Sequence, residues 1–413
     1  MQICNLPYFF HVAHITYDIF FLLKGCGLLL TITAKVQVYP SDTEKTIFTR
    51  TMKAYMDACN FVSEYVFAAK ELSRKKLQDA MYHQLRVQFG LKSMMACSVF
   101  VTVMAKYKTV RSLGHDWTKV GFAKPSLDLV WNRDYSLSKD LFSVNTLDGR
   151  IKLKYQTTGM EKYFDGSWEF GTAKLINKFG KWFLHIPVTK EYEALQNAGV
   201  NNVAGVDLGI NFLAATYDSK GKSRFFSGKK VKNIRSAYKA NRKGLQQRQT
   251  ASARKRLKTT GQRENRYMAD VNHCITKALV TQYPKGTMFV LEDLTGIRNA
   301  TERVRIKGRY ETVSWAFYQF RQMLEYKAEL NGHKVIVVPP KHTSQTCPKC
   351  GHVDKGSRNK RAHTFCCRNC GYTSNDDRVG AMNLHRMGIN YLHEAGAMGH
   401  GPVAWGVVSH PTM

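Results

Sequence analysis

The sequence predicts a mixed α/β protein in two parts: a small β-barrel that carries a helical insertion, then an α/β region that carries an inserted zinc ribbon. Three observations predict this class. A stretch of helical periodicity interrupts short alternating strands, buried strands separated by glycine bends begin at Asn202, and two CxxC pairs follow near residue 350. Strand and helix periods differ, so their order along the chain indicates the architecture.

Composition and charge restrict the class of partner. The chain has 413 residues, of which 44% are hydrophobic, so it is globular and long enough for two or three domains. Lys and Arg total 62 against 31 Asp and Glu, a formal net charge of +31. Such an excess indicates a polyanionic partner. Nucleic acid is the leading candidate, and an anionic membrane surface is the alternative.

The N-terminal segment does not resemble a targeting sequence or a membrane span. It is apolar, but Asp18 and Lys24 interrupt it, and no basic stretch precedes it. Strand periodicity begins only at Leu30. We therefore expect residues 1–29 to be an extension outside the fold.

The next region alternates between strand and helix signals. Residues 30–40 form a half-buried strand that Pro40 ends. Residues 45–112 have helical spacing, and short strands return before residue 199, with a hairpin that turns at Gly180. We expect a barrel built from 30–44 and 113–199, with the helical unit 45–112 inserted into it.

The α/β region, residues 200–340, contains an unusually basic segment. Residues 229–266 hold 14 Lys or Arg and one acid, Glu264. A charge run is often only a solvated helix face, but this imbalance favours a helical pair that binds nucleic acid. The candidate contacts are Arg254, Lys255, Arg256, Lys258, Arg263 and Arg266.

The cysteine pattern predicts a zinc ribbon over residues 341–375. Cys347 and Cys350 form one CxxC pair, and Cys367 and Cys370 form another. Each tight turn can place two thiolates at two corners of a tetrahedron. Cys366 would be the spare thiol. The remaining cysteines are scattered rather than paired, which indicates a reducing, cytoplasmic protein.

Three acids stand where strands end or a helix begins. Asp207 and Glu292 each end an apolar strand, and Asp377 precedes a helical segment. Taken singly, they could be a turn acid, a helix cap and an N-cap. As a set they have the layout of a ribonuclease-H-type nuclease, in which carboxylates hold two ions. Oxygen ligands favour Mg²⁺ or Mn²⁺, so this site would be separate from the zinc.

Four segments together resemble the TnpB family of insertion-sequence proteins, which is related to the compact type V CRISPR effectors. They read GVDLGINFLAATYD, FVLEDLTGIR, YKAELNGHKVIVVPPKHTSQTCPKCG and CGYTSNDDRVGAMNL. The resemblance covers about residues 200–387, and it implies a RuvC-like nuclease with the triad Asp207, Glu292 and Asp377. The family often has alanine before its third acid and Asn six residues after it. Asp376 and Asn383 occupy those positions, which favours Asp377 as the ligand.

The resemblance implies a transposon-associated, RNA-guided DNA endonuclease with a guide RNA and a double-stranded DNA target as partners. It also names the barrel a wedge domain, and it assigns residues 200–340 and 376–390 to the nuclease and 391–413 to a tail. Base pairing would read the sequence, while the protein reads a short flanking motif. A non-catalytic RNA-guided repressor and a strand-transfer transposase are the alternatives.

Overall fold

The computed structural model divides the chain into two compact units, residues 1–191 and 192–413. Most of the predicted extension, residues 1–18, and the end of the predicted tail lie outside the described residues. None of the helices within the described ranges combines the length and apolar character needed to cross a membrane. The structure describes residues 19–24, 27–294, 317–340, 342–360 and 362–397.

The first unit contains three helices and most of its β structure in one sheet. Its helices are α1 (Asp42–Ala69), α2 (Arg74–Gln88) and α3 (Ser93–Ser112). Its strands are β1 (Ile19–Lys24), β2 (Gly27–Val38), β3 (Leu127–Leu129), β4 (Tyr135–Leu137), β5 (Leu141–Thr146), β6 (Gly149–Gln156), β7 (Glu169–Phe170), β8 (Ala173–Lys178) and β9 (Lys181–Glu193).

The nine strands form a nearly closed barrel in the order β3-β8-β9-β2-β6-β5-β4, with β1 on β2 and β7 on β9. The hairpin of β8 and β9 turns at Phe179 and Gly180, which both have positive φ. Such a turn matches the twist of antiparallel strands. Alternate β9 side chains are buried, beginning with Trp182 and Leu184, as the period of two predicts.

The barrel begins earlier than the sequence indicates. β2 starts at Gly27, and β1 pairs with it from Ile19↔Ile32 to Lys24↔Gly27. Part of the segment expected to lie outside the fold is therefore a hairpin arm, because backbone pairing does not require the alternating pattern that begins at Leu30.

The helical unit begins at a well-formed N-cap. Ser41 accepts from the Glu44 N–H, and Glu44 accepts in return from the Ser41 N–H, so a capping box starts α1 directly after Pro40. The predicted helical face is buried at Tyr55 and Cys59 but not throughout, since Tyr65 is exposed.

The second unit is built on a five-stranded sheet. Strand order is β12-β11-β10-β13-β14, in which β10, β13 and β14 run parallel and β11 and β12 antiparallel to their neighbours. The elements of this part are β10 (Asn202–Asp207), β11 (Phe212–Asp218), β12 (Ser223–Ser227), α4 (Lys229–Arg248), α5 (Ala251–Gln282), β13 (Thr287–Glu292), α6 (Phe317–Leu330), β14 (Lys334–Val338) and α7 (Asp376–Ala397).

Helices cover both faces of this sheet. On one face, Leu279 of α5 and Phe320 of α6 pack against Phe289 and other strand residues. On the opposite face, Leu384 of α7 packs against Val203 and Val290. Parallel strands buried on both faces explain the nearly continuous apolar runs that the sequence shows there.

The helix α7 lies unusually close to the sheet. A Cβ on Gly205 would approach the Ala381 carbonyl oxygen to 2.0 Å and the His385 nitrogen to 2.5 Å. Only glycine allows this distance, so the backbone of β10 lies directly against that of α7.

Residues 342–375, the ribbon, lie between β14 and α7. Its strands β15 (Arg358–Asn359), β16 (Thr364–Cys366) and β17 (Thr373–Asn375) form a small antiparallel sheet. Phe365 packs with the buried cysteines and with Val379 of α7. The chain therefore leaves the sheet after β14 and returns to it at Asp376.

Candidate active site and metal centre

The sheet brings Asp207 and Glu292 to the same edge. β10 and β13 are parallel and in register from Asn202↔Thr287 to Val206↔Leu291, so the next residue of each strand is an acid at its carboxyl end. Asp377, in the first turn of α7, reaches the same place from the helix that packs on β10. Two strand ends and one helix start thus position the three predicted acids.

Burial and mutual repulsion raise the pKa values of these carboxyls. Burial raises the pKa of Asp207 well above its usual range, and the negative charges of Glu292 and Asp377 raise it further. Burial is also the main cause that raises the pKa values of Glu292 and Asp377. Because these three carboxyls resist being ionised at the same time, an added positive charge would stabilise their ionised forms.

Glycine at position 380 makes room for one of the acids. A Cβ there would lie 2.7 Å from Oδ2 of Asp207, closer than the two atoms could approach without a shift. Here a methyl group would push against the carboxylate of Asp207, so the glycine lets that carboxylate lie against the helix backbone.

The two adjacent aspartates have different surroundings. Oδ2 of Asp376 accepts from Nε of Arg358 at 2.8 Å, while Asp377 faces the other acids. Neither caps the helix from the N-cap position, because Oδ1 of Asn375 accepts from the Arg378 N–H at 3.0 Å. Asp376 is therefore paired with the ribbon through Arg358.

Arg358 is a residue that the sequence reasoning missed. It lies on β15, and its Nη2 is 3.9 Å from Oδ1 of Asp377. Its positive charge lowers the pKa values of Asp207, Glu292 and Asp377, against the effect of burial. No spacing signal marks it, because it stands among several basic residues between the two CxxC pairs.

Polar side chains also connect the ribbon to the site. The hydroxyl of Thr343 donates to Oε1 of Glu292. Nδ2 of Asn383, on α7, donates to the carbonyls of Thr343 at 2.7 Å and Thr346 at 2.8 Å. The sequence singled out Asn383 only by its spacing from Asp377. In the structure it holds the chain segment that orients Glu292.

The four predicted cysteines form one cluster, and their Sγ atoms all lie within 4.8 Å of one another. Cys347 and Cys370 are 3.6 Å apart at sulfur, as are Cys350 and Cys367. A tetrahedral zinc site with Zn–S bonds of about 2.3 Å has S–S edges of about 3.8 Å, whereas a disulfide is about 2.0 Å. The donor set and spacing therefore fit zinc.

The backbone around the cluster also suits zinc ligation, since glycine with positive φ follows each pair at Gly351 and Gly371. The His352 backbone N–H lowers the pKa of Cys350 to about 6, whereas the pKa of Cys370 is raised to about 12, because the lowering by the Tyr372 backbone N–H is outweighed by burial and the neighbouring thiols. Cys366 lies outside the cluster and accepts from the hydroxyl of Thr373 at 3.7 Å. Among the described residues, every cysteine is a free thiol.

The basic segment forms α4 and the first half of α5. Five of the six predicted contact residues on α5 are exposed, and Arg266 is half-buried. The single acid, Glu264, is buried and pairs with Arg242 and Arg235. Because Glu264 is turned inward, it does not offset the charge of the exposed residues.

Comparisons with known proteins agree with this architecture. Residues 185–299 match a family model described as a probable transposase (OrfB_IS605), and residues 317–384 match a Cas12f1-like TNB domain. The resemblance to the TnpB family and its compact CRISPR relatives is confirmed.

The individual relatives are aligned over different shares of their own length. A CRISPR-associated endodeoxyribonuclease Cas12f1 of Sulfoacidibacillus thermotolerans is 29% identical over 244 residues, 55% of this chain and 56% of that protein. A TnpB-like protein of Methanocaldococcus jannaschii is 27% identical over 246 residues, 56% of this chain and 83% of that protein. The chain spans about half the length of the first curated relatives it matches.

A solved structure shows the same fold over most of the TnpB-like chain. The cryo-EM structure of a Cas12f1–sgRNA–target DNA complex matches with a TM-score of 0.58 at 14% sequence identity. The match covers 84% of this chain and 83% of that one. At this identity the likeness concerns the mixed α/β fold alone.

Proposed function

We propose that this chain is a transposon-associated, RNA-guided DNA endonuclease whose active site is formed by Asp207, Glu292 and Asp377. The observation that carries the proposal is the convergence of these acids at one sheet edge, although they are far apart in sequence. The unit from 192 to 413 would then be a ribonuclease-H-like, RuvC-type domain with a ribbon inserted before its last helix.

The acid site would hold divalent ions. Carboxylate oxygens are ligands that Mg²⁺ and Mn²⁺ favour, and a pair of such ions about 3.5–4 Å apart would supply Lewis-acid chemistry at the scissile phosphate.

The protein groups would have distinct roles in this reaction. Asp207, Glu292 and Asp377 would hold the ions, and the Thr343 hydroxyl orients the carboxylate of Glu292. The guanidinium of Arg358 faces the same acids and is placed to contact a phosphate oxygen of the bound strand. The four-cysteine cluster would hold a structural Zn²⁺ that fixes the ribbon, and therefore Arg358, against α7.

The partners follow from charge and from the relatives. The Cas12f1 structure that shares this fold is a complex with sgRNA and target DNA. The exposed Lys and Arg side chains of α5 are suited to contact phosphate backbones. We propose a guide RNA and a double-stranded DNA target as partners, with the barrel as a wedge domain and 45–112 as a recognition insertion. A cytoplasmic location stays a prediction.

A cleavage assay with co-purified guide RNA and matched target DNA tests the function. The unmodified chain should cut in Mg²⁺, while Asp207→Ala, Glu292→Ala and Asp377→Ala should each bind the target normally and not cut. Tight binding without cutting by the unmodified chain would favour the repressor. Joined rather than free DNA ends would favour a strand-transfer transposase.

A further inference from the structure

A chain of polar contacts connects α4 to the acid site through the ribbon. Nζ of Lys232, on α4, donates to Oδ1 of Asn211 at 2.9 Å. Nδ2 of Asn211 lies 2.6 Å from Nε2 of His363, in the ribbon. His363 therefore contacts the loop that follows the strand end carrying Asp207.

The order of donors fixes the state of the histidine. Lysine can only donate, so Oδ1 of Asn211 is the acceptor and its Nδ2 must be the donor to His363. Nε2 of His363 then accepts, which leaves the proton of the neutral ring on Nδ1. Nδ1 lies 3.6 Å from Oδ1 of Asp376, too long for a hydrogen bond but close enough for electrostatic attraction.

The backbone of His363 is held independently of its side chain. Its carbonyl accepts from the Asp376 N–H at 3.3 Å and from Nδ2 of Asn375 at 3.2 Å. Its φ of 53° is in the left-handed region, which histidine adopts more readily than most residues. Truncating the side chain to glycine therefore keeps both backbone hydrogen bonds and the positive φ, which alanine would strain.

Asp376 contacts both His363 and Arg358. The carboxylate that faces His363 through Oδ1 accepts from Nε of Arg358 through Oδ2 at 2.8 Å. Asp376 is fully buried, so its orientation sets where the guanidinium lies relative to Asp377. Groups that hold a site residue in this way typically determine the geometry of the atoms that contact the reacting centre.

We propose that His363 is a positioning residue. Oriented by Asn211 and Lys232, its ring lies against Oδ1 of Asp376, which also accepts from the Asp377 N–H at 3.1 Å. It thereby restricts the carboxylate that places the Arg358 guanidinium beside the three acids. The inference rests on the proposed nuclease function. A cation bound by His363, Asp376 and Asp377, whose ligand atoms lie within 4.8 Å of one another, is disfavoured because Arg358 already supplies the positive charge there.

The experiment compares His363→Gly, Asn211→Ala and the double variant with the unmodified chain. Each single change should lower kcat for target cleavage about 10–100-fold, which is typical of groups that orient a site residue without contacting the substrate. KM, target affinity and zinc content should stay unchanged. The double variant should cut no more slowly than the slower of the two single variants, because both residues act through one contact. Its Tm, measured without added metal ions, should likewise be no lower than that of the less stable single variant. His363→Asn, which keeps an amide donor near the position of Nδ1, should recover most of the rate.

His352→Ala is the matched control, since His352 is another histidine of the ribbon and its side chain is exposed. It should cut at the unmodified rate. Normal cutting by His363→Gly would overturn the positioning role, and so would a rate loss accompanied by loss of zinc or of target binding. Absence of cutting by the unmodified chain would instead reject the nuclease function and this inference together.

Discussion

Nε of Arg358, in the ribbon, lies 2.8 Å from Oδ2 of Asp376, in the first turn of α7, and this pair joins the ribbon to the acid site. The carboxylate is fully buried and the guanidinium is 23% exposed. A buried carboxylate destabilises the fold unless a positive charge neutralises it, so the pair contributes to folding stability. The positive charge of Arg358 also acts on the nearby acids.

Replacing Arg358 by Leu should separate those two consequences. Alone, it leaves Asp376 buried and unpaired, which should cost about 3–5 kcal/mol of unfolding free energy. The double variant Arg358→Leu/Asp376→Asn should recover most of that stability but not the cleavage rate, because the positive charge beside Asp207 and Asp377 is still missing. Denaturant unfolding and single-turnover cleavage measure the two effects. A double variant that regains the rate would show that Arg358 acts only as a partner for Asp376.

The cysteine cluster predicts which thiols carry zinc. Cys350→Ser or Cys370→Ser should release the metal and unfold the ribbon locally, since metal binding and local folding are coupled. Cys366→Ser is the matched control, because its sulfur lies outside the cluster. Zinc content by mass spectrometry under native conditions measures the outcome. Zinc loss in Cys366→Ser together with retention in Cys367→Ser would reverse the ligand assignment.

The exposed Lys and Arg side chains of α5 predict a salt-dependent interaction with nucleic acid. Changing Arg254, Lys255, Arg256 and Lys258 to Ala should weaken binding and flatten the plot of log Kd against log salt. The slope should fall by about 0.7–0.9 for every phosphate that is no longer neutralised. Exchanging Arg and Lys at the same four positions keeps the charge and should keep the slope. An unchanged slope in the alanine variant would mean that this face is only solvated.

Glu329 predicts a pH-dependent stability. Burial is the main cause that raises its pKa from 4.5 to about 7. The folded protein therefore holds this proton more tightly than the unfolded chain, so the stabilisation is present below pH 4.5 and is lost as the pH rises to about 7. Glu329→Gln should be as stable as the unmodified chain at pH 4 and more stable by on the order of 2 kcal/mol at pH 8.

Thermal unfolding at several pH values measures this difference. Glu394→Gln, which removes an exposed carboxylate from α7, is the control for the loss of a charge in itself. A Glu329→Gln variant that gains the same stability at both pH values would contradict the burial of the charge.

Much of the fold could be predicted because its signals are local. The period of the apolar residues, Pro40 before the first helix and the glycine turn of the hairpin each act within a few neighbours along the chain. The barrel limits could not be predicted as well, since β1 is defined by pairing with β2 and not by its own pattern. Tyr65 has helical spacing on the apolar face but remains exposed, because only packing against other helices decides burial.

By itself, the sequence determined the chemistry of two candidate metal sites and one basic surface: four thiols in tight pairs, three acids at strand and helix ends, and a basic segment with one acid. Only the tertiary structure decided how those groups are used. The parallel register of β10 and β13 places Asp207 beside Glu292, and the return of the chain from the ribbon pairs Asp376 with Arg358 and leaves Asp377 for the acids. The physical reason is distance along the chain: spacing fixes contacts across a turn, whereas contacts between residues well separated in sequence, such as Asp207 and Glu292, depend on how the whole sheet and its helices pack.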